Sequence, residues 1–374
     1  MKAGWEVVPL GEVASVNYGT RVVRKRDQGS LYPVYGGGGA TFRVDASNRS
    51  DCTIVSRFGM SVDCVRRVDG PFFLNDSGLS VSSVDGQRLS QEFLDAFLVA
   101  SSPDIYALGR GTAQKNLDCD AFRLLPIPLP PLDEQKRIVA ILDEAFEGLD
   151  RARANAEANL ADARELFAEC HRVALSSCAG AGARVRLDAV ADITSSLVDP
   201  KRDEYADLPH VGAGNMETGT DTLTNVQTAR EEGLKSGKYL FDRSMVLYSK
   251  IRPYLRKASR PNFDGLCSAD VYPLAPKAGT LDRSYLFYLL LGPGFTEYAI
   301  SGSARAGMPK VNREHLFAYE FVLPSIEEQT RIADELDAMM QSSTELEFAY
   351  RCKLADLAAL RQSLLQKAFS GELT

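Results

Sequence analysis

The sequence predicts a mixed α/β (α+β) protein built twice over, with two globular domains in tandem and a long helix after each. Three observations carry this. A ten-residue element occurs at 129–138 in the 374-residue chain and again at 323–332. Each occurrence opens a proline-free stretch whose apolar residues return in sevens, as in helices that pair along their length. The net negative charge is confined to those same two stretches.

The repeat comes first, because a missed duplication miscasts the whole fold. Leu129-Pro130-Pro131-Leu132-Asp133-Glu134-Gln135-Lys136-Arg137-Ile138 returns as Leu323-Pro324-Ser325-Ile326-Glu327-Glu328-Gln329-Thr330-Arg331-Ile332, an offset of 194. The same offset carries Leu117 onto Val311, Asp120 onto Glu314 and Phe122 onto Leu316. Upstream, Leu89, Phe93, Leu94, Leu98 and Tyr106 match Leu281, Tyr285, Leu286, Leu290 and Tyr298 at 192, and Val8, Leu10, Val13 and Val16 match Val185, Leu187, Val190 and Ile193 at 177. The second copy has gained residues mostly in its early half. A constant scaffold with variable inserts produces that pattern. It divides the chain into globular segments 1–128 and 184–324 and helical segments 129–183 and 325–374.

Each helix has readable punctuation. Pro130-Pro131 and Pro324 favour extended chain just before it, and Asp133-Glu134 and Glu327-Glu328 place carboxylates in a first turn where the macrodipole favours them. No proline follows before about Leu175 and about Phe369, and Gly371 is a plausible stop. Each helix is then roughly 40 residues, or about 60 Å at about 1.5 Å per residue. Counting in sevens places Ile138, Leu142, Leu149, Ala156 and Leu166 on the pairing stripe of the first helix. Ile332, Leu336, Met339, Leu346, Tyr350, Leu357 and Leu360 fall on that of the second. Alanines in one helix face larger side chains in the other, so the two can pack as a coiled coil.

Within the globular segments, Thr53–Ser56, Val62–Val68, Met245–Tyr248 and Asp270–Leu274 read as strands, and Gln91–Ala100 and Arg283–Leu291 as helices. Seven scattered cysteines, odd in number and without a C-x-x-C pair, are expected to be reduced thiols. No apolar run is long enough to cross a bilayer and the first residues lack a signal-peptide core, so the expected location is the cytoplasm, with no membrane partner.

A net charge of −7 argues against a simple nucleic-acid binder, but its distribution does not. Segment 1–128 holds 14 basic and 14 acidic residues and segment 184–324 holds 18 and 17, whereas the helical segments hold 6 against 10 and 5 against 9.

Catalytic constellations fail on their own chemistry. Gly36–Gly39 and Gly233-Leu234-Lys235-Ser236-Gly237-Lys238 lack the Lys-Ser/Thr that completes a phosphate loop. Glu134-Gln135-Lys136 has a nuclease-like E-x-K outline, but its copy is Glu328-Gln329-Thr330 and both open a helix, so capping is the better account. No glycine-rich cofactor loop or Asn/Asp-Pro-Pro-aromatic methyltransferase motif occurs. His171, His210 and His315 have no ligand spacing, and no metal site is expected. Basic clusters say more. Arg21, Arg24, Lys25 and Arg26 lie together in the first copy, with Arg57, Arg66 and Arg67 beyond. In the second, Lys250, Arg252, Arg256, Lys257 and Arg260 fall in a stretch free of acids with Tyr254 interleaved. Guanidinium and ammonium groups neutralise phosphates, and guanidinium also reads guanine edges.

The doubled Leu129–Ile138 and Leu323–Ile332 element resembles the specificity subunits of type I restriction-modification systems. So do Gly111-Thr112-Ala113-Gln114-Lys115-Asn116-Leu117, Tyr248-Ser249-Lys250-Ile251-Arg252-Pro253-Tyr254-Leu255-Arg256-Lys257 and Ser370-Gly371-Glu372-Leu373. The second copy departs from the first at Ala306-Gly307-Met308-Pro309-Lys310-Val311. The resemblance implies two target-recognition domains, each reading one part of a split site in double-stranded DNA, with Lys115 and Lys310 joining the expected DNA contacts. It implies spacer helices packed antiparallel with pseudo-twofold symmetry and grasped by two methyltransferase (modification) subunits, with restriction endonuclease/translocase subunits in the full assembly. The chain itself would be no enzyme and need no cofactor; S-adenosylmethionine and ATP with Mg would sit on the partners. The alternative is the specificity subunit of a type II-like system with a fused nuclease-methyltransferase.

Overall fold

Each globular segment is closed by a ladder between its first and last strands. The computed structural model describes residues 4–112, 114–177, 182–303 and 309–373. Glu6–Pro9 runs antiparallel to Pro126–Leu129, with Val8 opposite Ile127, and Ala183–Arg186 to Glu320–Leu323, with Val185 opposite Phe321. Both ladders end at the proline that precedes a long helix. Leu132–Ser177 and Ile326–Ser370 are those helices, 46 and 45 residues long. Gly371 ends the second with φ +83°, and the Glu372 amide returns to the Lys367 carbonyl at 3.0 Å, the Schellman closure glycine permits. Contacts divide the chain into Met1–Glu157 with Cys352–Thr374, and Ala158–Arg351.

The first unit is built on a six-stranded sheet in the order Ala14–Tyr18, Gly78–Ser83, Arg49–Ser56, Val65–Leu74, Tyr32–Tyr35, Arg43–Val44. Its pairings are antiparallel except that of Tyr32–Tyr35 with Val65–Leu74. Val65–Leu74 starts later than expected: Val62 sits 68% exposed in a turn, and pairing begins where Val65 meets Val55. The Gln91–Ala100 helix falls where its pattern predicts, with Ser90 Oγ accepting from the Phe93 amide at 3.2 Å. Phe93, Leu94 and Leu98 join Val55, Leu79 and Val81 in a core that also takes Ile138 and Leu142 from the first long helix and Leu365 and Ala368 from the second. Phe369 meets Phe93 and Phe97 edge-on at 5.2 and 5.5 Å.

The second unit spreads its strands over two sheets. One runs Ala191–Asp192, Val271–Pro276, Val246–Ser249, Ala258–Ser259; the other runs Leu197–Val198, Lys238–Phe241, Gly265–Cys267, Pro209–Val211, Gln227–Thr228. The Arg283–Leu291 helix repeats the earlier capping, with Asp282 Oδ1 accepting from the Tyr285 amide at 2.9 Å. Its Leu286 and Tyr288 pack with Tyr248, Leu274, Ile332 and Leu336.

One device is duplicated atom for atom. Gln135, fully buried, accepts from the Ser90 amide at 2.8 Å and donates to the carbonyls of Arg88 (2.8 Å) and Pro130 (2.9 Å). Gln329, also fully buried, accepts from the Asp282 amide at 2.8 Å and donates to Thr280 and Pro324, both at 3.0 Å. Each clasp ties the first turn of a long helix to the N-cap of the domain helix beneath it. The E-x-K outline thus conceals a structural glutamine.

Within each unit the long helices run antiparallel. Arg361 reaches Asp150 at 2.9 Å in the first; Arg164 reaches Glu347 at 2.9 Å and Ser343 donates to the Ala163 carbonyl at 3.4 Å in the second. Ile138, Leu142, Ala156, Ile332 and Leu336 are buried as expected, and Leu149, Tyr350 and Leu357 half-buried. Leu166, Met339, Leu346 and Leu360 are not: they are 65%, 42%, 47% and 48% exposed. The cause is register. One covered track keeps the seven-residue spacing, along Leu142, Leu149, Ala156, Ala163 and Cys170 and along Leu336, Ser343, Tyr350, Leu357 and Leu364. Its companion lies on the other side of that track, one position later than expected, at Phe167, Met340, Glu347 and Arg361 in place of those four.

His171 lies near the end of the first long helix. It is fully buried, its Nε2 lies 2.9 Å from the Tyr288 carbonyl, and Phe167 and Tyr288 flank its ring at 5.9 and 5.6 Å. Burial pushes its pKa down to about 4.

Gln135→Leu strands the Ser90 amide and two carbonyls without changing volume greatly. It should cost on the order of 3 kcal/mol, seen as a lower urea midpoint, and Gln329→Leu should do the same. For His171 the folded pKa lies below the unfolded value near 6.5, so the unfolded chain binds the proton first. Stability contributed by neutral His171 is complete above pH 6.5 and falls as pH drops towards 4, by about 3 kcal/mol in all. Urea titrations from pH 7 to pH 4 should show a drop that His171→Gln reduces.

Candidate nucleic-acid interface

In the first unit, the loop after the Arg49–Ser56 strand is locked against three neighbours. The Leu117 amide donates to the Arg57 carbonyl at 2.9 Å, Met60 N to Lys115 O at 3.0 Å, and Ser56 Oγ to Gly37 O at 2.6 Å. Here Gly36 and Gly37 are required by space: a Cβ on Gly36 would fall 2.2 Å from Ser77 Oγ, and one on Gly37 2.4 Å from the Phe58 carbonyl. The glycine run is a close-packed loop, with Gly38 and Gly39 opening beside Arg66.

On this platform the Arg57 guanidinium lies between the rings of Tyr18 (4.8 Å) and Phe58 (4.5 Å), which are 44% and 39% exposed. Lys115 Nζ stands 3.9 Å over the Tyr106 ring. Neither cation has a carboxylate partner among the described residues, so their charge remains available. Tyr18 and Phe58 were missed in the sequence; an exposed aromatic beside a basic residue was the signal. Arg21, Arg24 and Lys25 are exposed and also lack an ion-pair partner among the described residues, whereas Arg26 binds Asp27 at 2.8 Å. Arg66 donates to the Asp63 carbonyl at 3.1 Å. Arg67 is drawn to the buried Asp95 and to Asp69, which makes it a brace across the sheet rather than a free cation.

The second unit repeats the loop pair. The Val311 amide donates to the Lys250 carbonyl at 2.8 Å, and Ile251 bridges Lys310 as Phe58 bridges Asn116. Its basic run, however, is mostly turned inward. Lys250 Nζ donates to the Ala269 carbonyl at 2.6 Å and shares Asp270 with Lys310, Lys257 Nζ donates to the Ala213 carbonyl at 2.8 Å, and Arg256 Nε caps Leu291 at 2.8 Å. Burial lowers the Arg256 pKa. Arg260 is pinned between Asp221 (2.9 Å) and Asp337 (2.7 Å) over the Phe287 ring, with its side chain 11% exposed. These four brace the fold, because buried carbonyls and carboxylates need donors. Arg252 and Tyr254 remain exposed, the latter at 53%.

Of the departure at 306–311, residues 306–308 lie outside the described residues, as do Ala113 and Cys178; the six described cysteines are free. Among the described residues no helix is long and apolar enough to cross a membrane, and no three His, Cys, Asp or Glu side chains gather to hold a metal ion.

A family described as "Type I restriction modification DNA specificity domain" matches residues 2–158 and again 184–350. The chain is 26% identical over 403 aligned positions to the type I restriction enzyme EcoDI specificity subunit of Escherichia coli, covering 99% of this chain and 89% of that protein. It is 21% identical to the StySPI specificity subunit of Salmonella potsdam, over 72% and 62% of the two. Among solved structures, a chain from a study of complex assembly and conformational transition of the type I R-M system superposes with a TM-score of 0.76, at 21% identity over 100% and 99% of the chains. The HsdS subunit from Thermoanaerobacter tengcongensis superposes at 0.55, with 22% identity over 100% and 98%.

Arg260→Ala separates bracing from binding. It leaves Asp221 and Asp337 without their cation and should destabilise the second unit by about 2–3 kcal/mol, below the full buried-pair cost because Asp337 is 41% exposed. Thermal melts check this; an unshifted melt would return Arg260 to the free cations.

Proposed function

Because the chain belongs to the type I restriction-modification DNA specificity family, we propose that it is a sequence-specific, non-catalytic DNA-binding subunit whose two globular segments each read one half of a bipartite site. The observation that supports this best is the loop pair built alike in both copies, which presents Arg57 and Lys115 in one and Arg252 in the other without a carboxylate partner among the described residues. Arg57 with Tyr18 and Phe58, Lys115, Arg66 and the Arg21–Lys25 turn form the reading edge of segment 1–128. Arg252, Tyr254 and Lys310 form that of segment 184–324. Cations on stacked rings suit an interface that meets both phosphates and bases.

The long helices take the other role. Each is about 68 Å at about 1.5 Å per residue, roughly two turns of B-DNA, and sets the spacing between half-sites. Their acidic surface keeps them off DNA. Their exposed apolar flank, including a groove of about 440 Å³ among Leu166, Phe167, Cys170, Met339 and Leu346, is the surface two methyltransferase subunits cover. Those subunits bring S-adenosylmethionine, and restriction subunits bring ATP and Mg; the assembly works in the cytoplasm.

Exchanging residues 1–128 for the equivalent segment of a related subunit should change one half of the methylated site and leave the other half unchanged. Methylation-sensitive genome sequencing reads the outcome, and simultaneous change of both halves would refute the division of labour.

A further inference from the structure

Arg252 occupies a backbone conformation that arginine rarely adopts. Its φ is +49° and ψ +62°, the left-handed region in which a side chain crowds its own carbonyl. In the first unit the corresponding place, immediately after the bridge residue Phe58, is taken by Gly59 with φ +61°. The fold therefore requires a left-handed residue here, and glycine meets that requirement without strain. An arginine in its place needs a reason that lies in its side chain.

Nothing within the unit supplies that reason. Arg256 also has positive φ, at +47°, but its guanidinium caps the Leu291 carbonyl and so has a structural use. The Arg252 side chain is exposed and has neither hydrogen bond, ion pair nor stacked ring among the described residues; only its backbone is engaged, the amide donating to the Pro309 carbonyl and the carbonyl accepting from the Leu255 amide, both at 2.9 Å. Lys250 and Lys310 flank it but share the carboxylate of Asp270. Arg252 is thus the cation of this loop whose charge is not offset.

We propose that Arg252 is a DNA backbone-phosphate contact of the second half-site, kept at a position where the fold prefers glycine because its charge must project from that loop. This rests on the DNA-reading role proposed above. A phosphate is the better partner than a base edge. Bidentate base readout needs a guanidinium plane held by neighbours, as Tyr18 and Phe58 hold that of Arg57, whereas an unbraced cation suits a phosphate. Exposed Tyr254, two residues on, adds a ring at the same rim.

The test uses the methyltransferase assembled from the full chain and its modification subunits, with fluorescent duplexes carrying the methylated site or a scrambled one, titrated at several salt concentrations. Arg252→Gly should weaken binding to both duplexes about three- to tenfold and reduce the slope of log affinity against log salt by about one. Its melting temperature should stay within about 2 °C of wild type, since glycine relieves the backbone while loosening the unfolded chain. Arg252→Lys, equally strained but charged, should restore most of the slope. An unchanged slope in Arg252→Gly overturns the proposal, as does relaxation at one base position with the slope intact, which would make Arg252 a base reader. If the wild-type assembly did not distinguish the two duplexes, the specificity-subunit reading would fail instead, and the salt slope would still decide whether Arg252 meets phosphate.

Discussion

The architecture depends on a buried glutamine at the start of each long helix. Gln135 and Gln329 satisfy one amide and two carbonyls apiece, and those groups belong to the chain entering the helix and to the cap of the domain helix below it. A primary amide is the one uncharged side-chain group that both accepts and donates in a fork. Glutamate would bring a charge into a fully buried site, and leucine would leave three polar groups without partners. The consequence is directional. Each helix must leave its domain at an angle set by hydrogen bonds, so the first turn of a helix about 68 Å long is not free to swivel.

The same need of buried polar groups for partners governs how the cations divide. Residues close to the strand framework are drawn inward, where carbonyls and carboxylates lack donors: Arg260 between Asp221 and Asp337, Lys257 on Ala213, Arg67 on Asp95. On the loop pair beyond the strand ends Arg57, Lys115 and Arg252 keep their charge, because no carboxylate among the described residues faces them, whereas Lys250 and Lys310 share that of Asp270. A basic cluster in sequence is therefore no measure of a basic surface. In the 250–260 run, the same positions that made it conspicuous mostly hold the second unit together.

The long helices show a related separation of roles. The tracks of Leu142 and Leu336 are covered along their sevens, while Leu166, Met339, Leu346 and Leu360, one position off the companion track, turn to solvent. A helix that were merely a spacer would have no use for leucine and methionine there; a helix that carries other subunits would. The acidic excess on these segments, 10 against 6 and 9 against 5, suits surfaces meant for protein rather than phosphate.

The sequence by itself determined the duplication, the two long helices and their starts, the domain helices Gln91–Ala100 and Arg283–Leu291, and the family. All of these are written in local periodicity, capping residues or an offset repeat, which need no knowledge of neighbours distant in the chain. Tertiary structure alone decided which cations stay free, that Tyr18 and Phe58 enclose Arg57, that Gln135 and Gln329 are clasps rather than surface, and which apolar residues the helices leave exposed. Most of those depend on what a side chain meets across some 19 to 47 residues of chain, and the exposed apolar residues on which side of a covered track the partner helix lies. Arg252 belongs to both: its type was legible, but the left-handed backbone that singles it out appears only once the loop is closed on Pro309.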